Sequence, residues 1–255
     1  MSYHLYAIIS VLAVSAIAII AAIPLLITKK LPKTLLVTLL SLSVGTLLGA
    51  VVFEFLPEIY GHGHGNQLTA SLLILAGFLT FFILEKLIHH KHSQEEEAVI
   101  GHGHAAHLAP INLLGDAVHN FIDGLIIAAA YITSIPLGIA ATVAVLMHEL
   151  PQELADMGIL LYAGVSRLKA VLLNFAVALT AVAGTIIGLL LAEADHFAEA
   201  ILPFAAGVFI YIAASNLVPE LHRDCGAKET TIHVTAILAG IGIMLALTLL
   251  IPHTH

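Results

Sequence analysis

Apolar residues in this chain run in stretches of about 20 or more, with polar residues gathered in the short breaks between them. Each stretch is long enough to cross a hydrocarbon core roughly 30 Å thick. Eight helices are predicted on this pattern: Leu5 to Thr28, Thr34 to Tyr60, Leu68 to Ile88, Ile111 to Ile135, Leu137 to Tyr162, Ala170 to Ala192, Phe197 to Leu221 and Ile232 to Ile251. The first is expected to be a retained helix rather than a signal peptide. No Lys or Arg precedes it, and its apolar stretch is longer than a signal core.

The breaks are not alike. All nine basic residues fall in alternate connections: Lys29, Lys30 and Lys33 after the first helix, Lys86 and Lys91 after the third, Arg167 and Lys169 after the fifth, Arg223 and Lys228 after the seventh. Cytoplasmic loops of polytopic proteins accumulate Lys and Arg, so this asymmetry predicts an even number of spans with both termini outside. The expected fold class is an all-α, multi-pass integral protein of a cell membrane, plasma or inner, embedded in the lipid bilayer.

Composition narrows the function. The 255 residues are 60% hydrophobic, with a mean hydropathy of +1.03, which leaves one transmembrane domain, 1–255, and little room for a soluble one. No G-x-x-x-x-G-K-[ST] phosphate loop is present, so ATP is not expected to drive the protein from within this chain. The net charge of −8 gives no reason to expect nucleic acid. One Cys stands against 16 His, so metal chemistry would rest on imidazole and carboxylate rather than thiolate. Cys225 itself reads as an ordinary loop thiol.

Helix 2 reads Gly45-Thr-Leu-Leu-Gly-Ala-Val-Val-Phe-Glu-Phe-Leu-Pro57-Glu58, and helix 7 reads Gly207-Val-Phe-Ile-Tyr-Ile-Ala-Ala-Ser-Asn-Leu-Val-Pro219-Glu220. Gly, Pro and Glu recur at one constant offset, on helices that run in opposite directions. This is the pattern of an inverted repeat, helices 1–3 and 6–8 around helices 4–5.

The chemistry is concentrated on helices 4 and 5. In helix 4, Asp116, His119, Asn120 and Asp123 follow i, i+3, i+4, i+7 spacing and share one face. In helix 5, His148, Glu149, Gln152, Glu153 and Asp156 form a second polar stripe. A carboxylate at mid-bilayer costs on the order of 3 kcal/mol on insertion scales, so these acids must pair, hydrate or hold a cation. A divalent cation fits the nitrogen and oxygen donors, Zn²⁺, Fe²⁺, Mn²⁺, Co²⁺ and Cd²⁺ remaining open. Pro151 lacks an N–H and should free the Met147 carbonyl toward the cavity. Asn174 on helix 6 is expected to hydrogen-bond between helices.

His119-Asn-Phe-Ile-Asp-Gly124 and His148-Glu-Leu-Pro-Gln-Glu-Leu-Ala-Asp156 resemble the signatures of the ZIP (Zrt/Irt-like) divalent-metal transporters, nearest the branch whose fifth helix reads H-E-x-P-H-E-x-G-D. The resemblance extends over the whole chain. It implies metal uptake toward the cytosol, most often of zinc, by a homodimer in which helices 1, 4, 5 and 6 move against the others. It assigns a first metal position to His119, Asp123, His148 and Gln152, and a neighbouring one to Asn120 and Glu149, with Glu153 in the same stripe. Gln152 replaces the branch's second His with a neutral donor, and helix 6 offers Asn174 and Thr180 rather than a carboxylate. One well-occupied site is therefore expected.

A pathway is expected from Glu54 and Glu58 near the outer face, through the site, to Asp116, Asp156 and Glu220. The 89–108 segment is expected to be a His-rich cytoplasmic loop, with His89, His90, His92, His102, His104 and His107 as possible metal ligands beside three consecutive Glu. Two other functions compete. A passive metal channel shares the same residues. An intramembrane zinc protease would use His148-Glu149 as the start of H-E-x-x-H, but Gln152 stands where the second His belongs, so an enzyme is not expected.

Overall fold

In the computed structural model, residues 2–27, 32–61, 66–98, 104–192, 197–222 and 226–251 are described. Lys29, Lys30, His102, Arg223 and Cys225 lie outside them. Every regular element among the described residues is helical, and eight helices are long and apolar enough to cross a membrane. They are α1 (Tyr3–Ile27), α2 (Lys33–Gly61), α3 (Gln67–Ala98), α4 (His104–Thr133), α5 (Ile135–Tyr162), α6 (Arg167–Leu190), α7 (Phe197–Leu221) and α8 (Ala227–Leu250).

The helices outrun the apolar stretches that announced them. α3 continues past Ile88 to Ala98, α4 begins at His104 rather than Ile111, and α8 begins at Ala227 rather than Ile232. Apolarity marks the hydrocarbon layer, whereas backbone hydrogen bonding continues into the polar turns beyond it. The helical backbone thus includes His89, His90, His92, His104 and His107. The connection between α4 and α5 shrinks to Ser134, in extended conformation, whose side chain accepts from the Leu137 N–H and starts α5, with Pro136 in the first turn. α5 ends where Gly164 takes a positive φ of 83° and the Val165 N–H reaches back to the Leu160 carbonyl.

Two helices change their winding in mid-span. α2 carries a π turn over Val51–Phe55 and α7 one over Ile212–Leu217. Each lies just ahead of a proline, Pro57 or Pro219, that cannot donate to the carbonyl four residues back. The register slips instead, so that Leu56 donates to Val51 and Val218 to Ala213. The slip turns Glu54 inward, where it is buried and accepts from the Thr248 hydroxyl at 2.5 Å.

The packing sorts the helices into two sets of four, α1, α4, α5, α6 and α2, α3, α7, α8. Small residues let backbones touch within each set. A Cβ added to Gly45 would collide with the Ile237 carbonyl of α8, and one added to Gly207 with the Ile74 carbonyl of α3; Gly124 and Gly184 play the same part between α4 and α6. Between the sets the contact is apolar, built around Leu47, Phe55, Ile126, Ala144, Val145 and Phe209. Outward-facing Leu72, Leu75 and Leu79 on α3 and Leu238, Leu245 and Leu249 on α8 leave the outer wall apolar, as a bilayer requires.

Candidate metal centre

The α4–α5 hairpin pairs residues in steady antiparallel register. Asn112 donates to Asp156 at 2.7 Å, Gln152 to Asp116 at 3.0 Å, and the two imidazole Nε2 atoms of His119 and His148 stand 3.3 Å apart. The two polar stripes therefore face each other along their length, as their spacing on each helix demands.

At the deep end of this seam, His119, Asp123, His148 and Glu149 each turn one ligand atom to a common point. His148 Nε2 lies 3.1 Å from Asp123 Oδ2 and 3.5 Å from Glu149 Oε1. His119 Nε2 lies 3.7 Å from the first and 3.5 Å from the second. Tetrahedral zinc with bonds of about 2.0–2.1 Å places its ligand atoms about 3.3 Å apart. These separations bracket that edge. Two carboxylates and two neutral imidazoles also balance a divalent charge.

The imidazoles are oriented for the task. His148 Nδ1 donates to the Ala144 carbonyl at 3.0 Å, which leaves the Nε2 lone pair toward the cluster. Aromatic rings from the other helix set hold both from behind: Phe81 of α3 packs edge-on against His119 with centroids 5.4 Å apart, and Phe209 of α7 against His148 at 6.0 Å. Asp123 Oδ1 and Glu149 Oε1 are buried without a hydrogen-bond donor. Asp123, His148 and Glu149 are sealed, whereas the His119 side chain is 11% exposed and opens the centre to approach.

Gln152 gives its amide N–H to Asp116, and Glu149, adjacent to His148 in the chain, stands in the cluster with His119, Asp123 and His148. Asn120 likewise donates to Asp116 Oδ1 at 2.8 Å, so Gln152 and Asn120 brace one carboxylate between them. Glu153 is buried and takes a hydrogen bond from Asn174, which also reaches the Glu153 carbonyl at 3.2 Å; Asn174 thus ties α6 to α5 as its position suggested. Thr180 binds the Ala117 carbonyl of α4 at 2.8 Å. The Met147 carbonyl freed by Pro151 does not stand open to the cavity; Ser43 of α2 donates its hydroxyl to it.

Of the pathway acids, Asp116 and Asp156 are buried in the same seam, each with one carboxylate oxygen lacking a donor. Glu54 is buried on the π turn, Glu58 is half-buried one turn on, and Glu220 is exposed at the end of α7. The sequence reading missed Asn112, although it extends the α4 stripe by a further i, i+4 step. It also missed Ser43, Phe81 and Phe209, which lie on other helices and carry no local signal.

Comparison with known proteins agrees with this chemistry. The family model described as ZIP Zinc transporter matches residues 1–111 and 90–248. Zinc transporter zipt-7.1 of Caenorhabditis briggsae is 31% identical over 83% of this chain and 70% of its own length. Zinc transporter ZIP4 of Mus musculus is 32% identical over 83% of this chain and 43% of its own length, and Zinc transporter ZIP13 of Pongo abelii 32% over 84% and 67%. The chain thus spans from under half to about seven tenths of these relatives. With eight apolar helices and a buried His and carboxylate cluster among the described residues, this multi-pass integral membrane protein belongs to the ZIP zinc transporter family.

Proposed function

We propose that this chain carries divalent metal ions across the membrane, zinc foremost and Fe²⁺, Mn²⁺, Co²⁺ or Cd²⁺ as competitors, with His119, Asp123, His148 and Glu149 as the ligands that hold the ion in mid-span. The observation that carries this reading is the set of five nitrogen and oxygen separations of 3.1–3.7 Å on a buried hairpin, close to a tetrahedral edge. The relatives' names supply the zinc preference and the transport activity.

The ion approaches past Glu54 and Glu58, passes to the centre at its exposed edge by His119, and leaves along Asp116 and Asp156. Asp116 and Asp156 each offer an oxygen lacking a donor, a route with falling nitrogen content and weaker affinity. Asn120, Gln152 and Glu153 set the shape of that route rather than the primary ligand shell. The alternation of basic loops supports termini on the outside and the 89–108 segment and Glu220 on the cytosolic side, and with the family resemblance it supports transport toward the cytosol. The inverted repeat gains support from the two π turns, which fall at the same offset as the Gly, Pro and Glu matches, and from the pairing of α2 with α8 against that of α7 with α3. A homodimer in the plasma or inner membrane completes the reading.

Purified protein in sealed proteoliposomes tests it. Saturable Zn²⁺ uptake without ATP is expected, and the His119→Ala, His148→Ala double variant should fall to the level of empty vesicles. Normal uptake by that variant overturns the reading. Uptake rising linearly with zinc concentration, without saturation, points instead to a channel.

A further inference from the structure

Met147 immediately precedes His148, and its carbonyl is the one that Pro151 leaves without an in-helix donor. Inside a membrane-spanning bundle no bulk water replaces the missing hydrogen bond. Ser43 of α2, fully buried, supplies it. The same hydroxyl lies 2.8 Å from the Leu39 carbonyl of its own helix, but that carbonyl already receives the Ser43 N–H in the α-helical ladder. A hydroxyl has one hydrogen. The Met147 carbonyl, lacking its ladder donor, has the greater need of it.

This bond differs in kind from its neighbours. Ser10 with Tyr131, Ser15 with the Ala178 carbonyl, Thr180 with Ala117 and Thr185 with Gly124 all join helices of the α1, α4, α5, α6 set. Tyr211 with Glu85 and Thr248 with Glu54 join helices of the other set. Ser43 with Met147 spans the two, at a boundary where the other contacts described are apolar packing and the edge-on contacts of Phe81 with His119 and Phe209 with His148. It grips α5 at the peptide that leads into two ligands, and the His148 ring is anchored one turn back on Ala144.

We propose that Ser43 is a positioning residue for the metal centre: its hydroxyl, held on the Met147 carbonyl that Pro151 leaves free, fixes the turn of α5 that carries His148 and Glu149. The inference rests on the reading of those residues as zinc ligands; its uptake readout rests also on the transport reading.

The test is a double-mutant cycle read by equilibrium Zn²⁺ binding to the purified full chain, in competition with a chromophoric chelator, and by Zn²⁺ uptake in proteoliposomes. Ser43→Ala should weaken Zn²⁺ binding about tenfold, as loss of an outer partner of a metal ligand typically does. Uptake KM should rise in step, while uptake at saturating zinc stays near wild type. Pro151→Ala restores an N–H for the Met147 carbonyl, so adding Ser43→Ala in that background should change binding by no more than about twofold. Ser43→Thr keeps the hydroxyl and should bind as wild type. Wild-type binding by Ser43→Ala, an equal loss in both proline backgrounds, or a Ser43→Thr loss matching that of Ser43→Ala overturns the proposal. A wild-type protein that binds zinc but shows no uptake sinks the transport reading and leaves the positioning role to be judged on binding alone.

Discussion

The seam between α4 and α5 and the seams between α2 and α8 and between α3 and α7 are all tight contacts of membrane-spanning helices, yet they are made of opposite materials. The glycine seams set Gly45 against Ile237 and Gly207 against Ile74, backbone on backbone, with no room for a side chain. The α4–α5 seam sets imidazole, carboxylate and amide against each other and leaves oxygens of Asp116, Asp123, Glu149 and Asp156 without donors. In a solvent of lipid tails, close packing satisfies a helix pair by shape. Buried oxygens left without a donor there keep a capacity to bond that close packing does not use. One kind of seam builds the frame; the other keeps bonding capacity in reserve.

That contrast can be broken at graded points. The largest effect is expected from the His119→Ala, His148→Ala double variant, which removes both nitrogen corners and should cut Zn²⁺ uptake by roughly 100-fold or more, measured in proteoliposomes. The mirror experiment is Gly207→Leu. With its Cβ driven into the Ile74 carbonyl, the variant should lose about 3 kcal/mol of stability in thermal unfolding, the upper end for overpacking, while whatever folds binds zinc normally. A Gly207→Leu protein of normal stability but weak zinc affinity would erase the distinction between the seams.

Smaller effects sharpen it further. Asp156→Asn keeps the shape and the hydrogen bond from Asn112 but removes one carboxyl oxygen beyond the centre. Maximal uptake should fall severalfold with the zinc dissociation constant unchanged, a result that separates route from site. Thr248→Val deletes the hydroxyl on Glu54, within the frame. It should cost about 1 kcal/mol in unfolding free energy and leave the uptake KM untouched. If KM moves instead, the Thr248 hydroxyl also sets how Glu54 meets the approaching ion, and frame and route are not separate there.

Much of this was legible along the chain because a membrane makes polar residues conspicuous. The i, i+3, i+4, i+7 spacing of Asp116, His119, Asn120 and Asp123 needed no partner to be read, and the structure sets His119 and Asp123 of that face beside His148 and Glu149 of α5. Gln152 shows where such reading stops. Position 152 shares a face with His148, but what its amide meets depends on what faces it across the hairpin, and there Asp116 takes the Gln152 N–H. The π turns were equally hidden: a proline signals a missing donor, but the surrounding helices decide whether the backbone kinks or slips register.

The sequence alone determined the eight spans, the polar stripes of α4 and α5 and the donor chemistry, because hydrocarbon thickness and helical periodicity act locally and leave few alternatives. Only the tertiary structure decided the antiparallel register of the hairpin, the turn of Glu149 toward the cluster and of the Gln152 amide toward Asp116, and the meeting of Ser43 with Met147. Those depend on which atoms of distant segments come within about 3 Å, the reach of a hydrogen bond. Helical periodicity determines which face a residue lies on; only packing determines what it meets there.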